Sequence, residues 1–296
     1  MAPGRVLLVD GHAYAYRAFF AIKSLSSPSG EPTNAIFGFA KALLRLSETL
    51  NPALEIVIWD GGLAPERLSL LPSYKSERPP MPAALESQLD GMVAWLEASG
   101  RLSCCREGVE ADDWIAAWAR ALELRGLETV IASSDKDFMQ VVSSKIALVN
   151  PNDPALRLWT ADDVRAKTGV GPDKIVDWLS LVGDGVDNIP GVPGVGPKTA
   201  ASLLNQFGNW EALKRDLSRV APERIRAALE SSLEVVERNR ELIRLRAPAG
   251  LPPLPARIEP LPVAAGRLRE LYSRWGFRSL AAGLPEGGAA QGELRL

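Results

Sequence analysis

Acidic residues dominate the chemistry that this sequence could perform. They end apolar runs, open helical patterns or lie in a glycine-rich turn, and they are Asp10, Asp60, Glu110, Asp112, Asp113, Asp135, Asp137, Asp184 and Asp187. A single acid in such a place is as typical of a helix cap as of a metal ligand. Gathered together, these carboxylates would repel one another unless cations neutralised them, and an all-oxygen donor set selects Mg²⁺ or Mn²⁺. The pattern therefore predicts a cluster for divalent cations.

Such a cluster would be suited to phosphodiester displacement. Two ions about 4 Å apart activate a water and stabilise the charge on the reacting phosphate, so no side-chain nucleophile or histidine base is required. The sequence contains one histidine, His12. That count argues against a Ser-His-Asp site and against a histidine-rich zinc site.

A glycine-rich stretch follows the last two acids. Gly191, Gly194 and Gly196 leave the backbone bare, so its amide and carbonyl groups can approach a phosphate or an ion. Pro197 suits the first turn of a new helix, and Lys198 adds a mobile positive charge. The stretch is typical of a helix-hairpin-helix that grips a nucleic-acid backbone, although glycine and proline alone would favour a plain turn.

Alternating elements must position these residues. Apolar runs end on acids at residues 5–10, 54–60 and 129–135, and a weaker run at 101–105 leads to Glu110. Helical patterns at 34–49, 83–98 and 111–124 separate the runs. The alternation predicts an α/β fold with a parallel sheet flanked by helices, whose site lies beyond the carboxyl ends of the strands.

The second half of the chain reads as a helical lobe. Helical patterns cover residues 172–182, 197–207 and 222–245, a proline-rich strap covers 247–263, and a last helix covers 265–275. We expect a frayed tail from Gly283 onward.

Length and composition set outer limits. A chain of 296 residues can hold about two domains, and it shows no membrane-spanning run and no signal pattern, so we expect a cytoplasmic monomer. The two cysteines, Cys104 and Cys105, are adjacent in an apolar segment and are expected to be buried in a strand. The net charge of −2 argues at first against binding of nucleic acid. If the acidic cluster is left out of the count, however, the other residues carry a net positive charge, so the surface can be basic in patches.

Ordered motifs then show a resemblance that runs from about residue 5 to residue 284. The segments that carry it are Val9-Asp10-Gly11-His12, Tyr16-Arg17, Trp59-Asp60, Tyr74-Lys75-Ser76-Glu77-Arg78-Pro79-Pro80-Met81-Pro82, Glu110-Ala111-Asp112-Asp113, Ser134-Asp135-Lys136-Asp137 and Gly183-Asp184-Gly185-Val186-Asp187-Asn188-Ile189-Pro190-Gly191. With these segments, the sequence resembles the bacterial 5′ nuclease family, which includes the 5′ to 3′ exonuclease domain of DNA polymerase I and is related to the flap endonucleases.

The resemblance implies roles for the acids. The residues implied for the first ion are Asp10, Asp60, Glu110 and Asp112, and those for the second are Asp135, Asp137 and Asp187, with Asp112 shared. Asp113 and Asp184 match family acids that lie further out. The resemblance further implies that Gly191, Gly194, Gly196, Lys198 and Thr199 bind the duplex, with a monovalent cation such as K⁺ held by hairpin carbonyls.

The resemblance also implies an arch over the active site at about residues 61–98. Lys75 and Arg78 would be presented into the site as catalytic cations, although such a run is otherwise typical of a solvated face. Tyr16 would stack on a base, with burial in a helix as the alternative, and Arg17 would bind DNA. The segment around Arg67 lacks an aromatic residue common in the family, which leaves the role of Arg67 open.

The implied architecture is PIN-like, with three parts. They are an α/β nuclease domain at 1–165 with the arch, a helical DNA-binding lobe at 166–246 with the hairpin at about 181–207, and a strap, helix and tail at 247–296. The implied substrates are branched or flapped DNA and RNA-DNA primer junctions, with a DNA polymerase as a partner in trans. The alternatives are a catalytically weak junction-binding module and a ribonuclease of the PIN-like group.

Overall fold

The computed structural model describes residues 4–284, and its N-terminal half is built on a six-stranded sheet. The strands are β1 (Val6–Asp10), β2 (Leu54–Ile58), β3 (Leu102–Cys104), β4 (Thr129–Ala132), β5 (Ile146–Val149) and β6 (Leu158–Trp159). Their order is β3-β2-β1-β4-β5-β6, and all neighbours are parallel except β5 and β6. The three acid-tipped runs thus form the adjacent central strands β2, β1 and β4, so their acids meet at one edge.

Helices cover both faces of the sheet and build the second half of the chain. Within residues 4–284 they are α1 (Gly11–Ala21), α2 (Asn34–Leu50), α3 (Pro65–Leu70), α4 (Ala83–Glu86), α5 (Leu89–Ala98), α6 (Ala111–Leu124), α7 (Ala161–Thr168), α8 (Ile175–Val182), α9 (Pro197–Phe207), α10 (Trp210–Arg215), α11 (Glu223–Ser231), α12 (Leu233–Ile243), α13 (Ala265–Trp275) and α14 (Arg278–Ala282). The predicted bounds of α6, α9 and α13 are confirmed. None of these helices is both long and apolar enough to cross a bilayer.

The single helix predicted for residues 83–98 is wrong, because the chain breaks between α4 and α5. Gln88 lies at the break, and its amide nitrogen donates to the carbonyl of Ala84 at 2.6 Å. Its amide oxygen accepts from the backbone of Ala35 and Ile36 at the start of α2. The amide nitrogen of Gln88 has therefore taken the carbonyl of Ala84 that a backbone N–H would bond in a continuous helix, while its amide oxygen caps the start of α2.

Other local predictions also need correction. The pattern at 222–245 is two helices, α11 and α12, which part at Ser232. Strands β5 and β6 were not predicted. Cys104 is half-buried and Cys105 is exposed, so the expected burial of both is wrong. The tail beyond Leu284 lies outside the described residues.

The sheet buries two separate apolar faces because side chains alternate along a strand. On one face, Val6 and Leu8 pack with α6 and with α8, α9 and α12, so the helical lobe shares a core with the sheet. On the other face, Leu7 and Val9 pack with α1, α2, α5, α13 and α14. The strap at 247–263 has no regular structure, and its carbonyl at Pro252 accepts from the indole of Trp118 in α6.

Candidate active site

An acidic pocket of about 250 Å³ lies beyond the carboxyl ends of β1, β2 and β4. Four of the predicted acids line it, together with two of the predicted cations and the predicted aromatic residue: Asp10, Asp60, Asp112, Asp135, Lys75, Arg78 and Tyr16. Their convergence follows from the sheet order, because parallel strands end at the same edge.

Asp10 and Asp60 are each held by a backbone turn. Asp10 is the N-cap of α1, where it accepts from the amide of Ala13 at 3.0 Å and from the hydroxyl of Ser133 at 2.9 Å. Asp60 accepts from the amide of Gly62 at 2.9 Å. Burial raises the pKa of each carboxyl to about 6, since these hydrogen bonds only partly offset the loss of water.

Asp135 and Asp137 follow β4 in a tight turn. Asp135 accepts from the amide of Asp137 at 2.9 Å, and burial together with the negative charge of Asp112 raises the pKa of Asp135 to about 6. Burial and then the negative charge of Asp135 raise the pKa of Asp137 well above its ordinary value. One buried oxygen of Asp137 has no hydrogen-bond partner among the described residues. An unpaired, repelled carboxylate oxygen of this kind is a natural ligand for a cation.

Glu110 has no solvent exposure and is held by the arch. One of its oxygens accepts from the amide of Ala64 and from Arg67 at 3.2 and 2.9 Å, and the other accepts from Tyr74 and from Lys75. Burial alone would raise the pKa of Glu110, but the positive charges of Lys75 and Arg67 outweigh it and hold the pKa below its ordinary value.

Asp113 points away from the acidic pocket. Both of its oxygens accept from Arg67, at 2.7 and 3.0 Å, and one also accepts from the amide of Arg246 at 2.9 Å. Asp113, Arg67 and Glu110 line a second cavity of about 510 Å³ between α3 and the start of the strap. The structure thus separates Asp113 from the acids that line the pocket.

The last two acids lie in the turn that opens the hairpin, where Asp187 contacts the arch and Asp184 contacts the segment that follows β4. Asp187 pairs with the guanidinium of Arg78, and its carbonyl accepts from the amide of Lys75 at 3.1 Å. Asp184 pairs with Lys136 at 2.8 Å and caps the turn by accepting from the amide of Val186 at 3.1 Å. Lys75 is buried and has a left-handed backbone with φ of 55°, which directs its ammonium group at Glu110.

The glycine-rich stretch does form a hairpin between α8 and α9. Asp184 and Ile189 exchange two backbone hydrogen bonds of 2.8 Å, and the chain then passes close to the end of α8. A Cβ atom on Gly191 would lie 2.1 Å from the carbonyl oxygen of Val182, so only glycine fits there. Gly194 needs its left-handed backbone, while Gly196 faces open space at the N-cap of α9. Lys198 is exposed and Thr199 half-buried in the first turn of α9, beside its free amides.

Tyr16 is half-buried and lines the acidic pocket, with its ring stacked 6.4 Å from that of the exposed Phe20. Arg17 donates to Asn152 at 3.1 Å on the outer side of α1. Trp114 and Trp118 are buried and pack edge to face at 5.4 Å, so both belong to the core.

The donor set fits hard divalent cations in its chemistry. All the candidate donors are carboxylate oxygens, and burial raises the pKa values of Asp10, Asp60 and Asp135, so a cation would favour their charged forms. Within residues 4–284, however, no three acids lie close enough together to hold an ion. The arch cations pair with Glu110 and Asp187 instead, so coordination would require these side chains to exchange partners.

Sequence reasoning missed several polar residues that shape the site. Ser133 donates to Asp10, the ring of His12 accepts from the amide of Asp60 at 3.1 Å, and Tyr74 donates to Glu110 at 3.2 Å. Their only signal was adjacency to a predicted acid or cation. That signal is weak because the partners lie 36 to 123 residues away in the chain.

Comparisons with known proteins match most of the chain. The family model of the 5′-3′ exonuclease N-terminal resolvase-like domain matches residues 5–169, and that of the 5′-3′ exonuclease C-terminal SAM fold matches residues 170–263. A 5′-3′ exonuclease of Aquifex aeolicus is 39% identical over 224 residues, which cover 73% of this chain and 76% of that protein. A thermostable DNA polymerase I of Thermus thermophilus is 39% identical over 243 residues, 82% of this chain but 29% of the polymerase. The chain thus spans less than a third of the polymerases that it matches.

Solved structures share the fold. A complex of the bacteriophage T5 flap endonuclease with DNA and metal ions superposes with a TM-score of 0.69 at 22% identity, over 81% of this chain and 89% of that chain. The catalytic core of Rad2 in complex with DNA superposes with a TM-score of 0.61 at 16% identity, over 93% of this chain and 87% of that chain. The predicted fold, a parallel sheet flanked by helices with a helical second lobe, is confirmed.

Proposed function

The chain belongs to the 5′-3′ exonuclease family, and from that membership we propose that it is a structure-specific 5′ nuclease that cleaves flapped or branched DNA. One observation carries the proposal: the acidic pocket, the arch cations and the helix-hairpin-helix lie side by side. Lys75 and Arg78 of the arch bond directly to Asp187 in the turn that opens the hairpin. A duplex held by the hairpin would therefore place a phosphate beside the carboxylates.

Each part of the site has a task in this proposal. Gly191 to Thr199 hold the duplex backbone through bare amides and Lys198, with K⁺ bound by hairpin carbonyls, while Tyr16 stacks on a base and Arg17 contacts a phosphate. Selection is by shape, since such contacts carry no base code, and binding should weaken strongly with salt. The nuclease domain would comprise residues 1–165 and the DNA-binding lobe 166–246, with 247–296 packed back on the first.

Two divalent ions, Mg²⁺ or Mn²⁺, would activate a water and stabilise charge on the scissile phosphate when bound. The residues that would hold them are Asp10, Asp60, Glu110, Asp112, Asp135, Asp137 and Asp187, with Asp184 and Asp113 supporting from further out. Lys75 and Arg78, released from their carboxylate partners, are placed to bind the phosphate. The biological substrates that suit this site are flaps and RNA-DNA primer junctions, processed with a polymerase acting in trans.

The test is cleavage of a 5′-labelled flap duplex with Mg²⁺, with EDTA, and with Asp135→Asn protein. We expect a short product that requires Mg²⁺ and that the variant does not release, although the variant still binds the flap. Asp162→Asn is the matched control, because Asp162 is an exposed acid on α7, and it should cleave like the wild type. Binding without cleavage under any divalent ion would refute the proposal and leave a junction-binding module.

A further inference from the structure

Arg67 is the most extensively bonded cation next to the site. Its side chain is buried, with a residue exposure of 6%, and it lies in the short helix α3 at the base of the arch. The guanidinium binds Glu110 at 2.9 Å and Asp113 through two parallel hydrogen bonds. A buried guanidinium is stable only when its N–H groups find acceptors, and this planar fork fixes the orientation of what it binds.

The other edge of the same guanidinium faces the helical lobe. Its Nε donates to the carbonyl of Leu242 at 2.9 Å, and a terminal nitrogen lies 3.5 Å from the carbonyl of Arg244. Both carbonyls are at the C-terminal end of α12, where unpaired carbonyls carry partial negative charge. Arg67 therefore ties Glu110 to the end of α12.

Helix α12 also holds the hairpin. Asn239, with no solvent exposure, donates from its amide nitrogen to the carbonyls of Ser180 in α8 and Pro190 in the hairpin, at 3.1 and 2.6 Å. Asn239 and Leu242 are one helical turn apart on α12. Direct contacts thus run without a gap from Pro190 through Asn239, α12 and Arg67 to Glu110.

We propose that Arg67 is a positioning residue that sets the orientation of Glu110 and couples it to the helix-hairpin-helix, with Asp113 holding the plane of its guanidinium. Arg67 lines the 510 Å³ cavity on the far side of Glu110 and not the acidic pocket, so it acts through Glu110 and not on the substrate. The proposal rests on the proposed function, because it takes Glu110 to be a ligand of the divalent ions.

The first test measures metal affinity without DNA or cleavage, by the free Mn²⁺ signal in electron paramagnetic resonance. Arg67→Met keeps the aliphatic stem and removes the fork. It should weaken Mn²⁺ binding about 10- to 100-fold, the usual cost of losing a partner that orients a metal ligand. Arg67→Lys restores the charge without the fork and should recover only part of the affinity.

Arg101→Met is the matched control. Arg101 is also buried, with 7% exposure, and it pairs with Glu55 at 2.7 Å, at the opposite end of the sheet from the acids. Arg101→Met should lose about as much stability as Arg67→Met and keep the wild-type affinity for Mn²⁺. Equal affinities of Arg67→Met and wild type, or equal losses in the two methionine variants, would overturn the proposal. Wild-type protein that binds Mn²⁺ but cleaves no flap would instead refute the proposed function and leave this comparison valid.

The second test addresses the coupling. Mn²⁺ affinity is measured for Asn239→Ala, Arg67→Met and the double variant. We expect Asn239→Ala to weaken binding by at least roughly threefold in the wild-type background and to have no further effect once Arg67 is replaced. Independent, multiplicative losses would show that no coupling runs through Arg67. If Asn239→Ala does not fold, the hydrogen-exchange rate of the Val192 amide in the hairpin tests the coupling instead. This rate should increase in Arg67→Met and not in Arg101→Met.

Discussion

Replacing one pocket acid by its amide should stabilise the metal-free protein at neutral pH. Asp135 is the best choice, because its side chain borders open pocket space and the carboxamide oxygen introduced by Asp135→Asn can still accept from the amide of Asp137. The wild-type carboxyl has a pKa of about 6 in the fold against 3.8 ordinarily, chiefly because it is buried. Between about pH 4 and pH 6, the folded protein therefore holds a proton on Asp135 that the unfolded chain has released.

The sign and size of the effect follow from that difference. Because the folded pKa is raised, the contribution of Asp135 to stability is fully present below about pH 4 and is lost as the pH rises through about 6. As the pH rises from about 4.5 to about 7.5, ionisation of Asp135 should lower the unfolding free energy of the wild type by about 2 kcal/mol. Asp135→Asn removes that loss, and it also removes the second-largest cause of the raised pKa of Asp137, which acts in the same direction.

The assay is urea unfolding in EDTA for wild type and Asp135→Asn across that pH range, followed by the same series with Mg²⁺. We expect the variant to be the more stable protein at neutral pH, the gap to close toward acid pH, and Mg²⁺ to stabilise the wild type more than the variant. Parallel stability curves, or a variant that is less stable at neutral pH in EDTA, would refute the claim that the buried Asp135 carboxylate destabilises the metal-free fold.

Three further predictions concern stability and binding. Tyr272→Phe leaves the buried indole N–H of Trp95 without its 2.9 Å acceptor and should cost about 1–3 kcal/mol in urea unfolding, whereas an unchanged midpoint would contradict that role. Gly191→Ala should lower both stability and duplex affinity, because its Cβ would meet backbone. Gly196→Ala should keep stability and lower only the duplex affinity, measured by fluorescence anisotropy titration. Equal stability losses in the two variants would count against the hairpin geometry. Lys75→Met should reduce single-turnover cleavage about 100-fold or more with little change in flap binding, and retained cleavage would exclude it as a catalytic cation.

Local sequence patterns were enough to predict the type of fold and the edge that carries the site. Apolar runs ending on Asp10, Asp60 and Asp135 predict parallel strands, and the structure places those strands side by side at the centre of the sheet. The bounds of α6, α9 and α13 were also readable, because local periodicity and a proline at the start of α9 mark them. The ordered motifs were specific enough to indicate the family.

Which acid faces which partner depends on long-range packing and could not be predicted from local patterns. Asp112 and Asp113 are neighbours on one helix, yet Asp112 lines the acidic pocket while Asp113 is held by Arg67. Arg67 reaches Leu242 across 175 residues of sequence, and Gln88, at the break between α4 and α5, caps α2 through a bond to Ala35, 53 positions away. Local patterns report propensity and periodicity, which act over a few residues. The pairing of buried polar groups depends on which chain segments pack together, and that is settled only when the whole core forms.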